Sequence, residues 1–121
     1  MTLIICVEDE AELREGIVEE LREEGYEVIE ASDGQEGLEL IVQHKPALVV
    51  SDITMPRMNS LEMLRNLRQR DDELSEIPLI FLSALAHKHY YDEAKQLSAT
   101  NFLIKPVDWD VFLTVVAGTV K

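Results

Sequence analysis

The chain has 121 residues, a mean hydropathy of -0.05 and a single cysteine, Cys6. That is enough apolar material for one domain with one core, and it excludes a disordered chain, a disulfide scaffold and a Cys-rich zinc site. The formal charge is -13, and 14 of the 24 acids but only 3 of the 11 bases lie in residues 1–50. Such a surface repels nucleic-acid phosphates and anionic membranes and favours a cation or a basic partner.

No apolar run approaches the roughly 20 residues that cross a bilayer. Met1 is followed at once by a strand-like run rather than a signal peptide, which points to a soluble, cytoplasmic protein. Thr2–Val7 (TLIICV) is continuously apolar and β-branched, the pattern of a strand buried on both faces. Residues 11–24 switch to helical spacing, with Leu13, Ile17 and Leu21 on one face. The acids Glu12, Glu15, Glu19, Glu20, Glu23 and Glu24 read as its solvated surface, and Gly25 as its stop. A second, edge-like strand follows at 26–30. Asp33 and Glu36 then have the spacing of a capping arrangement that opens a helix with Leu38, Ile41 and Val42 on its apolar side. Pro46 ends that unit.

Ala47–Ser51 is the third strand, followed by Asp52. Asn59 or Ser60 can cap a third helix carrying Leu61, Leu64 and Leu67. After an acidic loop at Asp71–Glu76, Leu79–Leu82 is the fourth strand. A fourth helix is expected over 86–98, a fifth strand over Asn101–Ile104, and a last helix over 108–119 with Phe112, Val115 and Val116 inward. The whole chain, 1–121, reads as one domain.

Strict alternation of five strands and five helices implies an α/β fold: a doubly wound parallel sheet with helices on both faces. The common five-stranded order is 2-1-3-4-5, with a crevice beyond the carboxyl ends of strands 1 and 3. The polar residues after the apolar runs then gather on one edge: Glu8-Asp9-Glu10, Asp52, Ser83 and Lys105-Pro106. Strand ends meet water, so one polar residue there means little; the convergence of the set means more. Three carboxylates in one crevice repel unless a positive charge sits among them. Oxygen-only ligands favour a hard divalent ion such as Mg2+. Together with the Lys105 ammonium it would neutralise the site and make a carboxylate able to accept a phosphoryl group.

Four segments, VEDE at 7–10, SDITMP at 51–56, LSA at 82–84 and FLIKP at 102–106, in this order on these strand ends, resemble the receiver domain of two-component response regulators across essentially the whole chain. The resemblance implies that Asp52 is the phosphoacceptor. It implies that Asp9 and Asp52 hold Mg2+ directly, Glu8 through water, and the Thr54 carbonyl as a further ligand. Lys105 would pair with the acids and then with the phosphoryl group, across a cis Lys105–Pro106 bond. Ser83 would be the switch hydroxyl and Phe102 the switch aromatic, changing the surface of helix 4, strand 5 and helix 5. The implied donor is a histidine kinase or histidine phosphotransfer protein. The domain would be a stoichiometric switch rather than a turnover enzyme, binding no nucleic acid by itself and no membrane. Tyr90, Tyr91, Lys88 and Lys95 are candidates for a partner or homodimer face. Four features depart from the family pattern: Glu8 in place of Asp, Asn59 in place of Asp, Ser60 in place of Gly, and Ala99-Thr100-Asn101 in place of Gly-Ala-Asp.

Other classes fit less well. A flavodoxin-like cofactor protein needs a phosphate-cradling loop after strand 1, where Glu8-Asp9-Glu10 would repel it. An aspartyl phosphatase would carry its nucleophile after strand 1. A degenerate receiver kept only for protein binding would not need the intact acids and Lys105. The resemblance also implies that the residue two beyond the switch hydroxyl borders the path of the hydrolysing water; here it is Leu85, which cannot orient that water by hydrogen bonding. Slow loss of the aspartyl phosphate is expected, and Leu85→Glu should change the decay rate measured after removal of the donor.

Overall fold

The computed structural model describes residues 2–53, 60–83 and 91–120. Thr54, Asn59, Leu85, Lys88, Tyr90 and the start of the expected fourth helix lie outside the described residues. Five parallel strands, β1 (Leu3–Val7), β2 (Glu27–Ala31), β3 (Leu48–Asp52), β4 (Leu79–Ser83) and β5 (Asn101–Ile104), form one sheet in the order β2-β1-β3-β4-β5. The helices are α1 (Ala11–Glu23), α2 (Gly34–His44), α3 (Ser60–Arg68), α4 (Tyr91–Gln96) and α5 (Trp109–Thr119). The expected fold class and strand order are therefore those observed.

The pleat explains the two-layer core. Alternate residues of a strand face opposite sides, so Ile5 and Val7 pack with Val49, Leu79 and Phe81 beneath Ile41 of α2, Leu64 of α3 and Ala94 of α4. Ile4 and Cys6 face the other way, with Val50, Ile80 and Leu82, against Ile17 and Leu21 of α1 and Phe112 and Val116 of α5. Cys6 is fully buried, and burial, reinforced by the nearby Glu8 charge, pushes its thiol up to about 12. It is a small apolar filler.

Local sequence sets the boundaries. Asp33 accepts from the Glu36 N–H at 2.8 Å, as the capping spacing predicts, while the Glu36 carboxylate reaches back to the Ser32 N–H at 2.7 Å. Lys45 closes α2 in the left-handed region at φ 48°. The acidic loop contains a 3-10 turn over Glu73–Glu76, capped by Asp72, which also pairs with Arg70 at 2.7 Å. The expected fourth helix stops earlier than the sequence suggests, because Ser98 turns left-handed at φ 60°. There Arg68 of α3 donates to the carbonyls of Leu97 and Ser98, and also to those of Ser75 and Ile77. Arg65 pairs with Glu93. These two arginines tie α4 to α3. Trp109 lies against Phe112 and over Gly16 of α1.

Gly37 marks a close approach of α2 to the sheet: a Cβ there would stand 2.8 Å from Val7 Cγ2 and 3.2 Å from Met63 Sδ. Val7 and Met63 are fully buried and have little room to retreat. Gly37→Val should cost about 1–3 kcal/mol by overpacking, read as a lower denaturant midpoint at unchanged slope.

Candidate functional site

The carboxyl ends of β1, β3, β4 and β5 bring the predicted residues together. Glu8 follows β1 with 1% of its surface exposed, and its N–H donates to the Ala31 carbonyl of β2 at 3.0 Å. Asp9 is exposed beside it. Asp52 closes β3 with 8% exposed. Carboxylate oxygens of Glu8, Asp9 and Asp52 lie within 4.8 Å of one another. Lys105 Nζ, from beyond β5, stands 3.3 Å from Asp52 Oδ1 and 3.4 Å from Glu8 Oε1. The Lys105–Pro106 peptide is cis, as the resemblance implies, and the Lys105 N–H donates to the Ser83 carbonyl at 2.7 Å. Ser83 is fully buried. Phe102 stands between the buried Phe81, at 6.2 Å, and the exposed Tyr91, at 5.3 Å, in edge contacts with both.

The electrostatics follow from this crowding. Burial, with the Asp52 charge adding to it, pushes the Glu8 carboxyl up to about 7. Burial also raises Asp52, against the opposing pull of Lys105. For Lys105 burial acts downward, but the carboxylates of Asp52 and Glu8 outweigh it and hold the ammonium above its usual value. With all three acids ionised, one ammonium leaves two negative charges uncompensated. The donor set suits a hard divalent cation: direct ligands of Mg2+ lie ~2.1 Å from the ion, so opposite ones stand about 4.2 Å apart, and a water-mediated one stands further. The carboxylate spacing fits such an ion, and the surplus charge is its complement.

Several contacts that hold the site have no signal in the sequence. Arg14 of α1 donates to the Glu8 carbonyl at 2.7 Å and pairs with Glu30 at 3.2 Å. The Glu10 N–H donates to Glu8 Oε2 at 3.2 Å, and the Ile53 N–H donates to Asp52 Oδ1 at 2.9 Å. Ser51 and Ser60 contact the Asp52 main chain. Periodicity marks Arg14 only as one more charge on a helix, and Ser51 as an ordinary strand residue.

A family model described as the response regulator receiver domain matches residues 4–117. The chain belongs to the response regulator receiver family. It is similar to the chemotaxis protein CheY of Bacillus subtilis, 33% identical over 119 residues covering 98% of this chain and 97% of that protein. It is 36% identical over 104 residues to the transcriptional regulatory protein PdtaR of Mycobacterium tuberculosis, covering 85% of this chain but 49% of PdtaR. The chain thus spans about half the length of PdtaR. The solved structure of the response regulator TrrA of Thermotoga maritima in complex with Mg2+ and BeF superimposes with a TM-score of 0.86 at 31% identity, over 98% of this chain and 99% of that one. Receiver domains are the phosphoacceptor switches of two-component systems and partner with histidine kinases and effector domains. Among the described residues of this receiver, no helix is long and apolar enough to cross a membrane.

The raised Glu8 carboxyl gives a signed pH dependence. The folded, metal-free protein holds this proton more tightly than the unfolded chain does, so the contribution to stability is fully present below pH 4.5 and lost as pH rises to about 7. Cation binding needs the ionised form. Calorimetric Mg2+ affinity should therefore fall as pH drops below 7, by up to about tenfold per unit. Glu8→Gln should raise the metal-free melting temperature at pH 8 while weakening Mg2+ binding.

Proposed function

We propose that residues 1–121 act as one receiver domain that takes a phosphoryl group onto Asp52 in a Mg2+-dependent reaction and switches a partner surface. The observation that carries this reading is the Lys105 ammonium set 3.3 Å from Asp52 and 3.4 Å from Glu8, beside Asp9. Glu8, Asp9 and Asp52, with the Thr54 carbonyl, would hold Mg2+, which supplies charge neutralisation for an incoming anionic phosphoryl group.

The chain's own residues do the rest. An Asp52 carboxylate oxygen attacks phosphorus of a phosphohistidine on a histidine kinase or phosphotransfer protein. The O–P bond forms as the N–P bond breaks; the bonding electron pair leaves on the imidazole nitrogen, and the ring departs neutral because its other nitrogen keeps its proton. Lys105 is placed to follow the charge from the Asp52 carboxylate to a phosphoryl oxygen. Ser83, one residue beyond Leu82, the strand partner of Asp52, offers its hydroxyl to another oxygen. Its movement gives Phe102 room to turn from Tyr91 toward Phe81, remodelling α4, β5 and α5. Moving a two-state ratio from 1:99 to 99:1 needs about 5.5 kcal/mol. Charge-assisted hydrogen bonds from Lys105 and Ser83, at roughly 1.5–3 kcal/mol each, supply most of it. The reading also places the domain in the cytoplasm as a stoichiometric switch, with that surface available to an effector domain, a partner or a second copy.

The test is incubation with Mg2+ and a small acyl phosphate, followed by intact mass measurement. One added phosphoryl group is expected, absent without Mg2+ and absent in Asp52→Asn. Lys105→Ala should still bind Mg2+ but lose most of the conformational response. Equal phosphorylation of Asp52→Asn would remove Asp52 from its role.

A further inference from the structure

Two buried hydroxyls meet on the carbonyl of the proposed phosphoacceptor. Ser51 is the penultimate residue of β3 and Ser60 opens α3; both are fully buried. Ser51 Oγ donates to the Asp52 carbonyl at 2.9 Å, Ser60 Oγ donates to the same carbonyl, and the two hydroxyls touch each other. The Ser60 N–H adds a bond to the Ile53 carbonyl at 3.1 Å. Buried hydroxyls carry a desolvation cost that alanine would avoid, and the carbonyl offsets it.

That carbonyl shares a peptide unit with the Ile53 N–H, which donates to Asp52 Oδ1 at 2.9 Å and to the Leu82 carbonyl at 3.2 Å. The peptide is planar. Fixing its oxygen end fixes the direction of its N–H end, and the N–H end holds the carboxylate. Donation to the oxygen also polarises the amide and strengthens the N–H as a donor.

We propose that Ser51 and Ser60 are a redundant pair of positioning residues that orient the Asp52 carboxylate through the Asp52–Ile53 peptide, a role that rests on Asp52 being the phosphoacceptor. Redundancy follows from counting protons. Three oxygens, two of them hydroxyls, make three contacts with two protons. Either hydroxyl left alone still has a proton to give the carbonyl; removal of both leaves it none from this pair.

The experiment compares wild type, Ser51→Ala, Ser60→Ala and the double variant in the full chain. It reads the Ile53 amide resonance in the metal-free protein, Mg2+ affinity by calorimetry and the phosphorylation rate with a small acyl phosphate. Each single variant should stay within about twofold of the wild-type rate, while the double slows about tenfold or more, beyond the product of the singles, and shifts the Ile53 resonance. A double variant within about twofold of wild type, even with a lowered melting temperature, overturns the proposal, since packing alone then explains the pair. So do single losses that multiply to the double's, as two independent defects would. A wild type that takes no phosphoryl group on Asp52 overturns the functional reading and this role with it. A phosphorylated wild type beside an unaffected double overturns this role alone.

Discussion

A single ammonium holds the sheet edge together. Lys105 Nζ lies between Asp52 at the end of β3 and Glu8 just after β1, which would otherwise face each other as buried like charges. Two carboxylates at such a distance in a poorly solvated crevice repel strongly, and the consequence is visible in Glu8, whose carboxyl is pushed up to about 7 by burial and then by Asp52. The site is poised between taking a proton and taking a cation. Each relieves the same charge surplus.

The sheet makes that crowding possible. Parallel strands with helices on both faces leave the carboxyl edge as the place where loops carry polar chemistry. Both faces of the sheet are filled, one by α2, α3 and α4 and the other by α1 and α5, so the strands cannot slip to separate the acids. The backbone around the acids is held as firmly. Arg14 takes the Glu8 carbonyl, and Ser51 and Ser60 take that of Asp52. Away from the site, Arg65 pairs with Glu93 of α4 and Arg68 holds the Leu97 carbonyl just beyond it, which fastens α4 to α3.

The similarity to CheY over nearly the full length of both chains, and to PdtaR over only half of PdtaR, places one receiver architecture in two settings. The departures from the family pattern are local: Glu8 is gripped at both oxygens, by Lys105 and by the Glu10 N–H, which accommodates its extra methylene.

The amino-acid sequence alone determined the order of strands and helices, because runs such as LIICV and LIFL are apolar at every position and the helices repeat at 3.6 residues. It also pointed to Glu8, Asp9, Asp52, Ser83 and Lys105, because strand ends in an alternating fold must converge. Only the tertiary structure decided how those residues are held. The grip of Arg14 on Glu8, the meeting of Ser51 with Ser60 across β3 and α3, the turn at Ser98 that shortens α4, and the seat of Trp109 over Gly16 are contacts between separate elements. Periodicity reports which face of an element is buried. It carries no information about which polar atom on a neighbouring element will stand within hydrogen-bond reach.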